Sequence, residues 1–141
     1  LCNQVTASPV YISSISDFIE AGGELKILLS DYSEKKALEV NPNLFRRLAY
    51  YISGNRNVQI RKCAPMAIYR MEDSEKKEIQ FAVADGRAYR IEMDTKELRA
   101  VANFNDTEMA KTYTDIFDKQ FIRAAEIDLL TPFKFHNVAA V

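Results

Sequence analysis

The Asp85-Gly86 step constrains this chain more than any other dipeptide in it. It separates Glu78-Ile-Gln-Phe-Ala-Val-Ala84 from Ala88-Tyr-Arg-Ile-Glu-Met93, both of which read as extended segments. Asp-Gly closes a two-residue hairpin because both residues tolerate the positive φ that the turn demands. A further extended run, Leu98 to Phe104, follows a turn at Asp94-Thr95-Lys96-Glu97. Strands therefore cluster in the second half of the chain. Asp73 to Lys77, just upstream, reads as a solvated hairpin loop.

The first half has a different rhythm. Ser8-Pro9 supplies a cap and an N1 proline, and Gly22-Gly23 ends the helix they open. Val10, Ile12, Ile15, Phe18 and Ile19 form its apolar stripe. Leu25 to Leu29 is short and apolar after those glycines, as expected of a buried strand. Ser33 to Asn41 is a loop or a short helix. Asn41 caps and Pro42 starts the next helix, with Leu44, Phe45, Leu48, Tyr51 and Ile52 on one face and Gly54-Asn55 as its stop. Val58 to Arg61 alternates as a strand. Met66 to Arg70 is another short strand or an edge. Asn105-Asp106 caps a long helix whose apolar face is Met109, Tyr113, Ile116, Phe117, Phe121 and Ala124. The tail from Thr131 is an extra strand or a disordered end. The expected fold class is α/β, an α+β mixed sheet flanked by helices, in one domain over residues 1–141 with a core at 8–128 and a tail at 129–141.

Composition narrows the functional classes. A 141-residue chain with 48% hydrophobic and 28% charged residues suits a folded domain rather than a disordered one. A net charge of −1 gives no global attraction to nucleic acid or membrane. No apolar run reaches the roughly 18–20 residues that span a bilayer. There is no signal peptide, so a cytoplasmic location is expected; the start at Leu1 without methionine suggests a fragment or processed product. Cys2 and Cys63 lack metal-ligand spacing, and no metal or cofactor is expected. Cys63 reads as a free thiol, with a Cys2–Cys63 disulfide as the less favoured alternative. No Gly-x-Ser-x-Gly elbow, phosphate-binding glycine loop or dinucleotide fingerprint occurs. The sole histidine, His136, lies near the end of the chain.

From about Pro9 to Asp128, and most specifically from Phe81 to Phe121, the chain resembles one half of the phospholipase D-like fold. In that family a strand carries His-x-Lys, then four residues, then Asp. A Gly-Ser-x-Asn segment follows on the next strand, and two halves join to form the site. Aligned on Asp85, the histidine position is Glu78 and the lysine position is Gln80. The Gly-Ser-x-Asn positions fall on Glu92, Met93 and Thr95, and only the aspartate is kept. Asn103-Phe-Asn-Asp106 matches a strand-to-helix junction that recurs in the family.

The chemistry of such a site needs what is missing. A carboxylate repels an anionic diester at close range, and glutamine cannot neutralise phosphate as lysine does. No catalytic residue is therefore expected. Glu78, Gln80, Asp85 and Glu92 are the candidate binding positions. A Glu78–Glu92 acid–base pair is the less favoured reading beside two ordinary strand carboxylates. Asp85 also reads as a turn residue, and Asp106 as a helix cap.

The resemblance implies a homodimeric, non-catalytic binding or regulatory module. Its ligand would be a lipid head group, a nucleic acid or a protein partner. The alternative is a divergent nuclease or phosphodiesterase that borrows its histidine from another chain or domain. Arg46, Arg47, Arg56, Arg61 and Lys62, with Arg87, Arg90 and Arg99, lie near Tyr50, Tyr51, Tyr69 and Tyr89 in sequence. An anion-binding or single-strand nucleic-acid surface is one reading of these residues, and a balanced charged surface is the favoured one.

Overall fold

The elements run α1 (Pro9–Glu20), β1 (Leu25–Ser30), α2 (Glu34–Glu39), α3 (Pro42–Ser53), β2 (Val58–Cys63), β3 (Ala67–Tyr69), β4 (Lys76–Glu78), β5 (Gln80–Ala84), β6 (Ala88–Asp94), β7 (Arg99–Asn103), α4 (Thr107–Phe121) and β8 (Ala125–Glu126). The computed structural model describes residues 8–65, 67–69, 76–94 and 99–135. The fold is mixed α/β. The chain forms two compact units, one from residues 1–62 and 125–141, the other from residues 63–124. Cys2, His136, Asp73, Thr95, Met66 and Arg70 lie outside the described residues.

In the first unit, local chemistry sets the helix ends. Ser8 Oγ accepts from the Tyr11 amide at 3.2 Å, and Ser33 Oγ accepts from the Lys36 amide at 3.2 Å. Ser33 thus starts α2, a short helix. Gly22 takes φ 94°, so the Gly23 amide can reach back to the Phe18 carbonyl at 2.9 Å. Pro42 starts α3, but the expected Asn41 side-chain cap is not made. Asn41 adopts φ −143° and ψ 58° rather than the extended geometry that aims a cap at the first-turn amides.

The strands of this unit are ordered β1-β2-β8, with β2 and β8 antiparallel. Arg61 pairs with Glu126 and Lys62 with Ala125. Strand β8 has no strong sequence signature, because two residues are too few to alternate.

Ile19, Leu29, Ala37, Leu44, Phe45, Leu48, Ala49, Tyr51, Val58, Ile60 and Leu129 build the core. Ile12 and Ile15 pack against it, whereas Val10 and Phe18, expected in the same stripe, are exposed. The reason is angular: positions 12, 15 and 19 share one helical face, and positions 10 and 18 fall off it.

Asp128 shapes the tail of this unit. Its Oδ1 accepts from the Leu130 and Thr131 amides at 2.9 and 3.1 Å. The Thr131 hydroxyl and these amides hold its carboxyl below the usual range despite partial desolvation. A carboxyl depressed in the fold adds stability above its unfolded pKa of 3.8, and that stability is lost as pH falls through the lower folded value. Urea titrations should therefore show the parent chain losing more stability than Asp128→Ala between pH 5 and pH 2.5.

The second unit holds two small sheets, β3-β4 and β5-β6-β7, and helix α4. Lys76 and Lys77 belong to β4 rather than to a loop, and Glu78 ends that strand opposite Ala67. The expected continuous strand from Glu78 to Ala84 is thus two strands, separated at Ile79. Ile79, at the break, is buried.

Strands β5, β6 and β7 form an antiparallel meander. Phe81, Val83, Tyr89 and Ile91 share one face, and α4 packs against β5 and β6. The Tyr113 ring lies 5.4 Å from Phe81 and 5.2 Å from Tyr89. Ile79, Ile91, Ala110 and Phe121 are buried in this unit.

Candidate functional site

The hairpin that carries the candidate residues turns through three residues, Asp85, Gly86 and Arg87, rather than the expected two, because Ala84 pairs with Ala88; Asp85 and Gly86 take the positive φ that the dipeptide tolerates, 54° and 67°. The Arg87 amide donates to the Ala84 carbonyl at 3.2 Å. The same hairpin is tied to the start of α4, because the Asp106 amide donates to the Arg87 carbonyl at 2.7 Å. Asp106 then caps α4, its Oδ1 accepting from the Met109 amide at 3.0 Å. Asn103 Oδ1 accepts from the Asn105 amide at 2.9 Å and shapes the junction between strand and helix. Asp85 and Asp106 therefore have turn and cap roles that account for their residue types.

The register assembles a different subset of the candidate positions. Gln80 stands directly opposite Glu92, Arg90 opposite Ala82, and Glu92 opposite Ala100 on the other side. Side chains two apart on a strand point the same way, so Gln80, Arg90 and Glu92 share one face with Ala82, Ala84, Ala100 and Ala102. This face is opposite the one that bears Phe81 and Tyr89. Glu92 is 9% exposed, and its Oε2 lies 3.8 Å from the guanidinium of Arg90. That separation is an ion pair rather than a direct hydrogen bond. Asp85 lies five residues from Gln80 along the strand, on the order of 16 Å at the rise of an extended chain. Glu78 is in register with Ala67 on another ladder. The sequence motif thus spreads over a strand pair, a turn and a second sheet, and Gln80 and Glu92 are the two positions in direct register.

Arg90 is the addition that sequence alignment on a histidine motif misses. The signal was available in the spacing: Arg90 and Glu92 are two apart in an alternating run and must share a face. Past Glu92 the ladder shifts register between Glu92 and Asp94, an irregularity that bends the strand beside this carboxylate.

The face has little intrinsic reactivity. Its carboxylate is paired, its amide is neutral, and its alanines have no functional group. Among the described residues no three His, Cys, Asp or Glu side chains converge as a metal cage. Cys63 is half-buried and free, and burial pushes its thiol up, away from thiolate chemistry. Among the described residues no helix is long and apolar enough to cross a membrane. No protein-family model, no curated protein and no solved structure matches this chain.

Proposed function

We propose that this chain is a non-catalytic recognition module with a phospholipase D-like half-fold, working as a homodimer and binding a phosphodiester-bearing ligand. One observation carries the reading: Gln80 and Glu92 stand face to face on the β5–β6 hairpin, with Glu92 buried beside Arg90. In the alignment on Asp85, Gln80 stands where diester cleavage needs a lysine and Glu78 where it needs an imidazole, and the carboxylate opposite Gln80, Glu92, is already paired with Arg90. Arg90 is 57% exposed at its side chain and keeps a guanidinium available to a phosphate. The alanine-rich remainder of that face, with its short side chains, is suited to close approach of a second copy. Lipid head groups and nucleic acids share the phosphodiester chemistry that Arg90 would recognise.

Three measurements test the proposal. Bis(p-nitrophenyl) phosphate and plasmid DNA, with and without divalent metal, should show no turnover above buffer. Turnover that disappears in Glu78→Ala overturns the non-catalytic reading. Light scattering coupled to size exclusion should give the mass of a dimer, and Ala102→Arg should give a monomer; a monomeric parent chain overturns the dimer. A fluorescent single-stranded oligonucleotide and phosphatidylserine vesicles distinguish the two ligand sources. Arg90→Ala should weaken whichever binds by about tenfold or more, the order expected for a charge-assisted hydrogen bond.

A further inference from the structure

The first unit contains a cleft between α1 and α3 that the reading above does not use. Its volume is about 350 Å³, and Ser13, Ser16, Glu20, Asn43, Arg47 and Tyr51 contribute its polar lining. The volume is in the range of small-molecule sites. The helix surfaces explain why space exists there: Ser13 and Ser16 put short side chains on α1 opposite the longer residues of α3.

The two ends of the cleft differ chemically. At one end Tyr51, only 2% exposed, donates its hydroxyl to Glu20 Oε1 at 2.8 Å. That end is a closed pair carrying negative charge. Ser16 is likewise committed, donating to the Ile12 carbonyl at 2.9 Å. At the other end Ser13, Asn43 and Arg47 line the same space. No described hydrogen bond or ion pair holds the Ser13 hydroxyl, the Asn43 amide or the Arg47 guanidinium, all three on exposed residues, although the Arg47 charge acts on the Tyr51 hydroxyl one helical turn away. The adjacent arginine differs, because Arg46 lies 5.9 Å over the Phe133 ring. Three donor types facing one small volume, one of them a full positive charge, match an oxyanion with several acceptor oxygens. A tetrahedral phosphate offers acceptors in more directions than a planar carboxylate. The Glu20 carboxylate repels the same anion, and Arg47, whose charge also acts on the Tyr51 hydroxyl that Glu20 holds, offsets that repulsion.

We infer that the α1–α3 cleft is a binding site for a small phosphate or phosphomonoester, held by Arg47 with Ser13 and Asn43. The site is in the first unit, separate from the strand face of the second unit, and its success or failure leaves the dimer reading untouched.

The test is a heteronuclear NMR titration of the full chain with inorganic phosphate at constant ionic strength, with chloride as the competing salt. Saturable shifts should concentrate at residues 9–16 and 43–51. Arg47→Gln should weaken phosphate at least tenfold while leaving the rest of the spectrum in place, since the exposed Arg47 guanidinium makes no ion pair among the described residues. Arg46→Gln should bind phosphate as the parent chain does. Ser13→Ala and Asn43→Ala provide versions that retain the charge, and each should weaken binding severalfold. Equal shifts with chloride, shifts scattered over the surface, or undiminished binding in Arg47→Gln would each overturn the assignment.

Discussion

Phe45→Ala is expected to lower the unfolding free energy of the first unit by about 3–5 kcal/mol, the range for deleting a buried aromatic ring. Phe45 is 1% exposed and belongs to a core that also contains Leu44, Leu48 and Ala49 from the same helix. Its ring meets Tyr32 edge-on at 6.4 Å, so the change also removes an aromatic contact between α3 and the segment after β1. The helix itself tolerates alanine, which is a better helix former than phenylalanine. The loss is therefore in packing, not in local propensity. Denaturant midpoints give the size of the effect, and Tyr50→Ala on the exposed face, which removes only the edge-on contacts with Tyr51 and Phe135, should cost less. If the two substitutions were equivalent, the assignment of the α3 faces would be wrong.

In the second unit a large effect is expected of Tyr113→Ala. Its ring lies between Phe81 on β5 and Tyr89 on β6, and so links the helix to both strands of the hairpin. Each ring pair contributes about 0.5–1.5 kcal/mol beyond its buried area. Removing the shared ring eliminates both pairs and opens the space beneath α4. A loss of about 2–4 kcal/mol is expected, from these pair terms together with the cavity cost. Tyr113→Phe separates packing from polarity. Burial raises the Tyr113 phenol pKa, with Tyr89 adding to the rise, so the neutral form is the one the fold accommodates. Phenylalanine should retain most of the stability, and amide exchange on β5 and β6 should accelerate in Tyr113→Ala alone.

The parts of the fold that were legible in sequence are those specified by local chemistry. Asp85-Gly86 announced its turn because almost no other dipeptide accepts two positive φ angles so readily. Ser8-Pro9 and Asp106 announced helix starts for the same kind of reason, and both make the expected side-chain bonds. The misses have a different origin. Strand β8 is specified by its partner β2, which lies far away in the sequence, and not by its own two residues. The break falls at Ile79, a buried residue, and propensity does not encode it.

The candidate site was legible in part for related reasons. A hairpin at Asp85-Gly86 brings the strand of Gln80 against that of Glu92, but a two-residue turn would pair Gln80 with Ile91, and the third loop residue, Arg87, moves the partner to Glu92. The placement of Glu78 on another ladder does not follow, because it depends on the break at Ile79. The α1–α3 cleft was hidden for a third reason. Its meaning depends on which polar groups already have partners, and only three-dimensional contacts reveal that.

The β2–β8 pairing has a consequence for synthesis on the ribosome. Lys62 and Ala125 are opposite each other, so the chain leaves and re-enters the first unit one ladder step apart, after the whole of residues 63–124. A nascent chain that has reached Cys63 therefore has β2 without its later neighbour, and that edge stays open until β8 emerges. Arg61 and Lys62 put positive charge on this edge, the kind of residue that discourages illegitimate strand pairing while the edge waits. The same adjacency makes residues 63–124 a removable cassette: a short turn joining Lys62 to Ala125 spans the gap that translation fills with an entire second unit.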